Sequence, residues 1–156
     1  MTDETSLYDR VGGSAFFERL VDAFYEGVAT DAVLAPLYPE YEQSPTRRPD
    51  FAGARHRLTL FLVQYWGGPT TYSDERGHPR LRMRHMPFTI GEAQRDRWLV
   101  QLLHAVDVAT AALELGDADR DDIAGQLRGY FVPGAEHMRN HTGLPITSPG
   151  FRQTQP

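Results

Sequence analysis

The residues best suited to chemistry lie in GHPRLRMRHMPF, residues 77–88, where three arginines precede His85. A proline lies on each side of them. Pro79 suits the first turn of a helix, and Pro87 disfavours the α conformation at the residue before it. Only about two helical turns fit between the prolines, and so short a helix must dock on the rest of the fold. Two interpretations stay open here: a packing or capping histidine, or a neutral imidazole offered to an iron that takes its other ligands from a cofactor.

The other histidines give weaker signals. His56 falls on a polar helix face, and His104 lies beside an apolar stripe. His137 and His141 have the i, i+4 spacing that can chelate a metal, but no HExxH, Glu-x-x-His or cysteine accompanies them. No GxSxG elbow is present, and WGGP (66–69) lacks the rest of a phosphate-binding loop. We therefore assign no catalytic residue and no zinc site.

Composition restricts the class of protein. The chain has 156 residues, a net charge of −5 and no cysteine. One domain is expected at this length, and disulfides and thiolate sites are excluded. The acidic balance does not favour a general affinity for nucleic acid. No apolar run reaches the ~20 residues of a membrane span. The first ten residues resemble no signal peptide, so a cytoplasmic location is expected.

Apolar periodicity predicts an all-α chain with four main helices and a few short ones. Residues 14–29 carry one apolar stripe, with Ser14 as the predicted N-cap. A second amphipathic helix covers 51–66 and ends at Gly67. Residues 42–50 are polar with two prolines, which predicts an exposed loop, and 67–79 are predicted to be an irregular connection.

Two further helices are predicted in the second half. One begins at TIGE, where Thr89 and Glu92 have capping-box spacing. The acidic turn 116–122 is expected to break it. The last helix is placed at roughly 120–140, with a kink at Pro133.

Apolar residues along these helices could line a cleft, and three further side chains could place hydrogen-bond donors in it. Tyr25 and Tyr38 carry O–H groups, and Trp98 carries an N–H. Each of these residues, taken alone, is more typical of an ordinary core. The candidate lining residues are Phe24, Leu58, Phe61, Leu62, Phe88, Leu102 and Val106.

The sequence resembles a known family, the group II (O-type) truncated haemoglobins, and among them the actinobacterial members. The resemblance runs from about Leu7 to Asn140. Its most specific stretch is FLVQYWGGPTTYSDERGHPRLRMRHMPF (61–88). LYDRVGG, FYEGVATDAVLAPLYPE (24–40) and RDRWL (95–99) follow the family's order and spacing. A truncated globin domain over residues 1–142 is expected, with a Pro/Gly-rich, flexible tail over 143–156.

The resemblance implies a two-over-two helical sandwich around haem b. It gives His85 the role of proximal iron ligand, and Tyr25, Tyr38 and Trp98 the role of stabilising a ligand on the distal side. Ala54 takes the distal position where classical globins keep histidine, and Leu58 lies one turn further on. The implied distal pocket comprises Phe24, Ala54, Leu58, Phe61 and Leu62, and the implied haem contacts are Arg57, Tyr72, Leu81, Arg84, Phe88 and Leu102. Of these, Arg57 and Arg84 match propionate-contacting cations.

Three departures from the family pattern stand out: the long 42–50 loop, Pro133 with Gly134 in the last helix, and the tail.

The implied function is reversible binding of O₂, and of CO and NO, at a five-coordinate iron, for oxygen storage, transport or gas handling. Haem-based redox catalysis, peroxidase-like or NO dioxygenation with an external reductase, is the alternative. A haem-free helical binding module, with the arginine cluster as an anion or nucleic-acid site, is a third interpretation. A homo-oligomer is left open.

Overall fold

The computed structural model describes residues 5–38, 51–80 and 90–139. Within these ranges the chain is helical and contains no strand, which confirms the all-α prediction. None of the described helices is long and apolar enough to cross a membrane. The helices are α1 (Leu7–Arg10), α2 (Ser14–Ala29), a 3₁₀ helix (Ala35–Leu37), α3 (Ala52–Tyr65), α4 (Thr71–Arg76), α5 (Glu92–Ala111) and α6 (Asp117–His137).

Four long helices build the fold. Helix α2 packs against both α3 and α5, and α5 packs against α6, so two helix pairs meet along the α2–α5 contact. The apolar stripe of α2 is fully buried in this arrangement, as its periodicity predicts. The α2 side chains in the core are Phe16, Phe17, Leu20, Val21, Phe24, Tyr25 and Val28.

The N-cap of α2 differs from the prediction. Gly13, not Ser14, occupies the cap, because its φ of 101° lies in a region that serine rarely adopts. Ser14 is the first helical residue, and its hydroxyl lies 3.3 Å from the Tyr8 hydroxyl.

The segment 67–79 differs from its prediction. It is predicted to be irregular throughout, but it contains α4. The Gln64 side chain holds this short helix: its amide nitrogen donates to Ser73 Oγ at 2.8 Å, and its oxygen accepts from the Ser73 N–H at 3.0 Å. Tyr72 is buried edge-on against Phe61, with ring centroids 5.7 Å apart. Tertiary contacts therefore form a helix where composition indicated none.

The acidic turn 116–122 also differs from its prediction. Gly116 is an N-cap, and α6 begins at Asp117, so most of this segment is helical. Asp117 and Asp119 lie in the first turn, where the helix dipole favours negative charge. The helix continues through Pro133 to His137, and the predicted kink stays a prediction.

The N-cap of α5 lies two residues beyond the predicted one. Gly91 is the N-cap, and its N–H donates to the Gln94 side-chain oxygen at 2.9 Å. Thr89 lies outside the described residues. One of the two hydrogen bonds of a capping box is thus present, the one from the cap N–H to a side chain, and Gln94 accepts it in place of the predicted Glu92.

The two glycines after α3 have structural roles. Gly67 has a φ of 109°, and a Cβ there would lie 2.5 Å from the Cβ of Ser6. A Cβ on Gly68 would lie 2.6 Å from a Val63 methyl and 2.7 Å from the Tyr8 ring. The Tyr8 N–H also donates to the Trp66 carbonyl at 3.0 Å. The glycines therefore allow α1 to pack closely on the end of α3.

We expect Gly67→Ala to lower the free energy of unfolding by about 1–3 kcal/mol, because alanine is strained at that φ and meets Ser6. Gly125→Ala is the matched control: Gly125 is exposed within α6, with nothing near its missing Cβ, and the change should stabilise by about 0.5–1 kcal/mol. Urea unfolding of both variants gives the comparison. Equal stability of the two would contradict this role of Gly67.

Candidate functional site

Three aromatic rings from separate parts of the chain meet beside α2. Tyr25 comes from α2, Tyr38 follows the 3₁₀ helix, and Phe51 precedes α3. The Tyr25 and Tyr38 rings meet edge-on with centroids 5.7 Å apart, and Phe51 lies 5.4 Å and 5.2 Å from them. Tyr25 is buried and Tyr38 half-buried. Two of the three predicted donors are therefore neighbours, although 13 positions separate them in the sequence.

Phe51 adopts an unusual backbone conformation to reach this cluster. Its φ of 54° and ψ of 36° are left-handed, which costs roughly 1–2 kcal/mol for a residue with a Cβ. Its ring is completely buried, and the burial of an aromatic ring offsets that cost. Sequence reasoning placed Phe51 on a helix stripe and missed this contact, since periodicity carries no signal for a left-handed residue at a helix start.

A cation lies over the Tyr25 ring. The Arg55 guanidinium carbon is 5.9 Å from the ring centroid, a cation–π distance. Its Nη1 donates to the Asp22 carboxylate at 2.8 Å, which links α3 to α2. Arg55 was not among the predicted site residues.

The predicted distal lining is mostly buried. Phe24 contacts the Tyr25 ring edge-on, at 4.9 Å between centroids. Leu58 and Trp98 are half-buried on α3 and α5. The fully buried members of the predicted set are Phe24, Ala54, Phe61, Leu62, Tyr72 and Leu102.

A buried carboxylate joins the segments that carry Tyr38 and Trp98. The Asp31 side chain is 2% exposed. One oxygen accepts from Arg97 Nε at 2.9 Å and Gln101 Nε2 at 3.1 Å, both on α5. The other accepts from the backbone N–H groups of Val33 and Leu34, at 2.9 Å and 3.1 Å.

These bonds position both donors through the backbone. The Ala35 N–H donates to the Asp31 carbonyl, and the Tyr38 N–H to the Ala35 carbonyl, so the turn that Asp31 begins ends at Tyr38. Trp98 directly follows Arg97 on α5. Asp31 is a positioning residue that the sequence reasoning missed. The sequence signal that could have identified it is an aspartate two residues after the end of a helix, because aspartate favours such turns.

The hydrogen bonds determine the ionisation of Asp31. Burial alone would raise the pKa of this carboxyl, but the bonds from Gln101, Arg97 and the two backbone N–H groups outweigh burial and lower the pKa below its ordinary value of 3.8. Asp31 is therefore a carboxylate at neutral pH.

Some predicted residues cannot be placed. His85, Leu81, Arg84 and Phe88 lie outside the described residues, as does the 42–50 loop. Arg57 is described and exposed on α3.

The described ranges contain no group of three or more His, Cys, Asp or Glu that could hold a metal ion. His104 and His137 are both exposed there, and His141 lies outside the description. The His56 side chain is 62% exposed, and its Nε2 lies 3.6 Å from a Glu75 oxygen.

Residues 6–128 match the family described as bacterial-like globin. The chain belongs to this family. Among curated relatives it is 35% identical over 130 residues to the group 2 truncated haemoglobin YjbI of Bacillus subtilis, covering 83% of this chain and 86% of that protein. It is 28% identical over 152 residues to the two-on-two haemoglobin-3 of Arabidopsis thaliana, covering 94% and 79%.

Solved structures agree with this assignment. The thermostable haemoglobin of the actinobacterium Thermobifida fusca is 48% identical with a TM-score of 0.72, covering 87% of this chain and 98% of that one. The haemoglobin of Chloroflexus aurantiacus is 39% identical with a TM-score of 0.74, covering 88% and 100%. The two-over-two fold and the group II assignment are thereby confirmed.

A globin of this family implies haem, and the described residues fit one half of a haem site. Two neighbouring phenols, one of them fully buried, lie among buried apolar side chains, with the small Ala54 one turn after Phe51. Neutral donors in an apolar surrounding suit a small, weakly polar ligand on a macrocycle.

We expect Asp31→Asn to lower the free energy of unfolding by about 2 kcal/mol at neutral pH, because it removes charge-assisted hydrogen bonds. The folded-state pKa of Asp31 is lowered, so its contribution is present above pH 3.8 and is lost as the pH falls through the folded-state value. The difference between wild type and variant should therefore shrink in acid.

Chemical unfolding of both proteins across the acid range measures this difference. Asp22→Asn is the matched control, since the Asp22 side chain is 58% exposed and pairs with Arg55 at the surface. That change should cost less than about 1 kcal/mol. A pH-independent difference between wild type and Asp31→Asn would contradict the proposed ionisation.

Proposed function

We propose that this globin holds haem b with His85 as its iron ligand and binds O₂, CO and NO reversibly beside Tyr25, Tyr38 and Trp98. The edge-on contact of Tyr25 and Tyr38 carries this proposal. It brings two phenol rings of different segments into contact, next to the buried ring of Phe51. Family membership supports the cofactor, and the residue roles rest on the family pattern.

The chain's side chains would divide the work between two sides of the macrocycle. When bound, haem supplies an iron with one position open to a diatomic ligand. The His85 imidazole would hold the iron, and it would have to be neutral to donate its electron pair. Tyr72, Leu81, Phe88 and Leu102 would contact the macrocycle, and Arg57 and Arg84 would pair with its propionates.

On the ligand side, hydrogen bonding controls how long the ligand stays. Ala54 cannot donate from its side chain, so the donors are the hydroxyls of Tyr25 and Tyr38 and the Trp98 N–H. Phe24, Leu58, Phe61 and Leu62 exclude water, which strengthens each bond. Arg55 over the Tyr25 ring and Phe51 against it keep that phenol in place.

Storage or transport of oxygen and gas handling follow from reversible binding. Haem-based peroxidase or NO dioxygenase chemistry needs an electron donor in addition. Turnover with peroxide, or with NO and a reductase, measured on the same preparation separates the two. A reductase partner, a homo-oligomer, the cytoplasmic location and the tail after residue 142 stay predictions.

The purified protein should show a haem Soret band, and reduced His85→Ala should lose the five-coordinate histidine-ligated spectrum, because the proximal nitrogen is gone. Added imidazole should restore that spectrum. His56→Ala, at an exposed histidine, is the control and should match wild type. An unchanged ferrous spectrum in His85→Ala would show that another residue binds the iron.

Trp98→Phe should speed O₂ release roughly tenfold, since one hydrogen bond of about 1–1.5 kcal/mol is lost. Stopped-flow measurement of the O₂ off-rate tests this. Trp66→Phe makes the same change in the other tryptophan, which packs between Tyr65 and Tyr130, and should leave the off-rate unchanged. If both variants release O₂ at the wild-type rate, Trp98 is not a donor to the ligand.

A further inference from the structure

Two tyrosines from different helices are stacked away from the distal cluster. Tyr65 ends α3 and Tyr130 lies on α6. Their ring centroids are 4.3 Å apart and their planes differ by 35°, which is at the short end of aromatic contacts in proteins. Tyr65 is 52% exposed, whereas Tyr130 is half-buried. The stacking thus brings two oxidisable rings together at the surface.

We propose that Tyr65 and Tyr130 form an oxidative modification site, at which hydrogen peroxide acting on the haem-bearing protein joins the two rings through a carbon–carbon bond. This inference rests on the proposed function in one respect, that haem is the group at which peroxide is reduced. The product is an intramolecular dityrosine that ties the end of α3 to α6.

The step balances without a further reagent. Each phenol gives up one electron and one proton, and the two phenoxyl radicals couple at ring carbons ortho to oxygen. Each of these carbons then gives up its hydrogen as a proton and each ring's carbonyl oxygen gains one, which restores two aromatic phenols. The two electrons and two protons reduce one hydrogen peroxide to two waters. The chain loses two hydrogen atoms.

A continuous series of ring contacts leads from the predicted haem contacts to this pair. Tyr72 meets Phe61 at 5.7 Å, and Phe61 meets Tyr65 at 6.1 Å. Tyr72 and Phe61 are both predicted site residues, and both are buried. An electron therefore has short steps from Tyr65 toward the site.

A third oxidisable ring, that of Trp66, lies next to the pair, but it does not stabilise a radical. Trp66 lies 5.1 Å from Tyr65 and 5.7 Å from Tyr130. Its indole nitrogen is buried and has no hydrogen-bond partner among the described residues. An oxidised Trp66 has no group to accept its N–H proton, whereas the exposed Tyr65 can release its proton to water.

Tyr130, the other ring of the pair, is a neutral phenol. Burial, and then the charge that Tyr65 would carry, raise the pKa of Tyr130 to about 12. Tyr65 is the more exposed phenol and can release its proton to water, so it is oxidised first while Tyr130 lies in contact with it. The stacking makes coupling within one chain faster than coupling between chains.

The test treats dilute haem-loaded protein with equimolar hydrogen peroxide. We expect monomer whose mass is lower by two hydrogen atoms, dityrosine fluorescence, and peptides carrying residues 65 and 130 recovered as one linked species. Tyr65→Phe and Tyr130→Phe should each abolish all three signals. Tyr8→Phe is the control and should keep them, because the Tyr8 ring stacks on Phe17 at 6.3 Å and not on a tyrosine.

A parallel reaction with a photoexcited ruthenium–bipyridine complex and persulfate oxidises tyrosine without haem. Linkage in both reactions supports the proposal. Linkage with peroxide alone also supports it. No linkage in either reaction, or only covalent dimer whose yield rises with protein concentration, overturns the pair as the site. Linkage under light alone overturns peroxide as the oxidant. The Soret band, recorded separately, decides the proposed function, so the two failures are distinguishable.

Discussion

The Asp31 carboxylate is the interaction on which the ligand side of this globin depends. Burying a charge costs free energy unless the charge is hydrogen-bonded, so the groups that donate to Asp31 are held in place. Those groups belong to the turn after α2 and to α5. The turn leads to Tyr38, and α5 carries Trp98 next to Arg97. One buried charge therefore fixes two donors relative to α2, which carries Tyr25.

The aromatic cluster of Tyr25, Tyr38 and Phe51 also positions side chains in this region. Phe51, in a left-handed conformation, packs against the rings of both Tyr25 and Tyr38. The start of α3 is thereby set, and with it Ala54 one turn on. The same helix ends at Tyr65, where it meets Tyr130 on α6. By our proposals, the two ends of α3 thus serve different chemistry: ligand binding at one end and oxidation at the other.

Much of this could be predicted from the sequence. The apolar period predicted the range and the buried stripe of α2, with Tyr25 at the edge of that stripe. Prediction failed where tertiary contacts decide, as at α4, which the Gln64 side chain and buried Tyr72 hold in a segment of helix-breaking composition. It also failed at the caps Gly13 and Gly91, because glycine gives no side-chain capping signal; Gly13 has in addition a positive φ that favours glycine. Phe51 and Asp31 act through distant partners, which one sequence does not show. The role of His85 rests on the family pattern.

The most direct test is the infrared C–O stretching band of the carbon monoxide complex, since a hydrogen bond to the ligand oxygen lowers that frequency and a loosely held donor broadens the band. Wild type and Asp31→Asn are compared, with Asp122→Asn as control, because the Asp122 side chain is 57% exposed and pairs with Arg10 of α1. We predict a narrow, low-frequency band in wild type and in Asp122→Asn, and a broader band at higher frequency in Asp31→Asn. An Asp31→Asn band identical to that of wild type would show that this carboxylate does not position the donors.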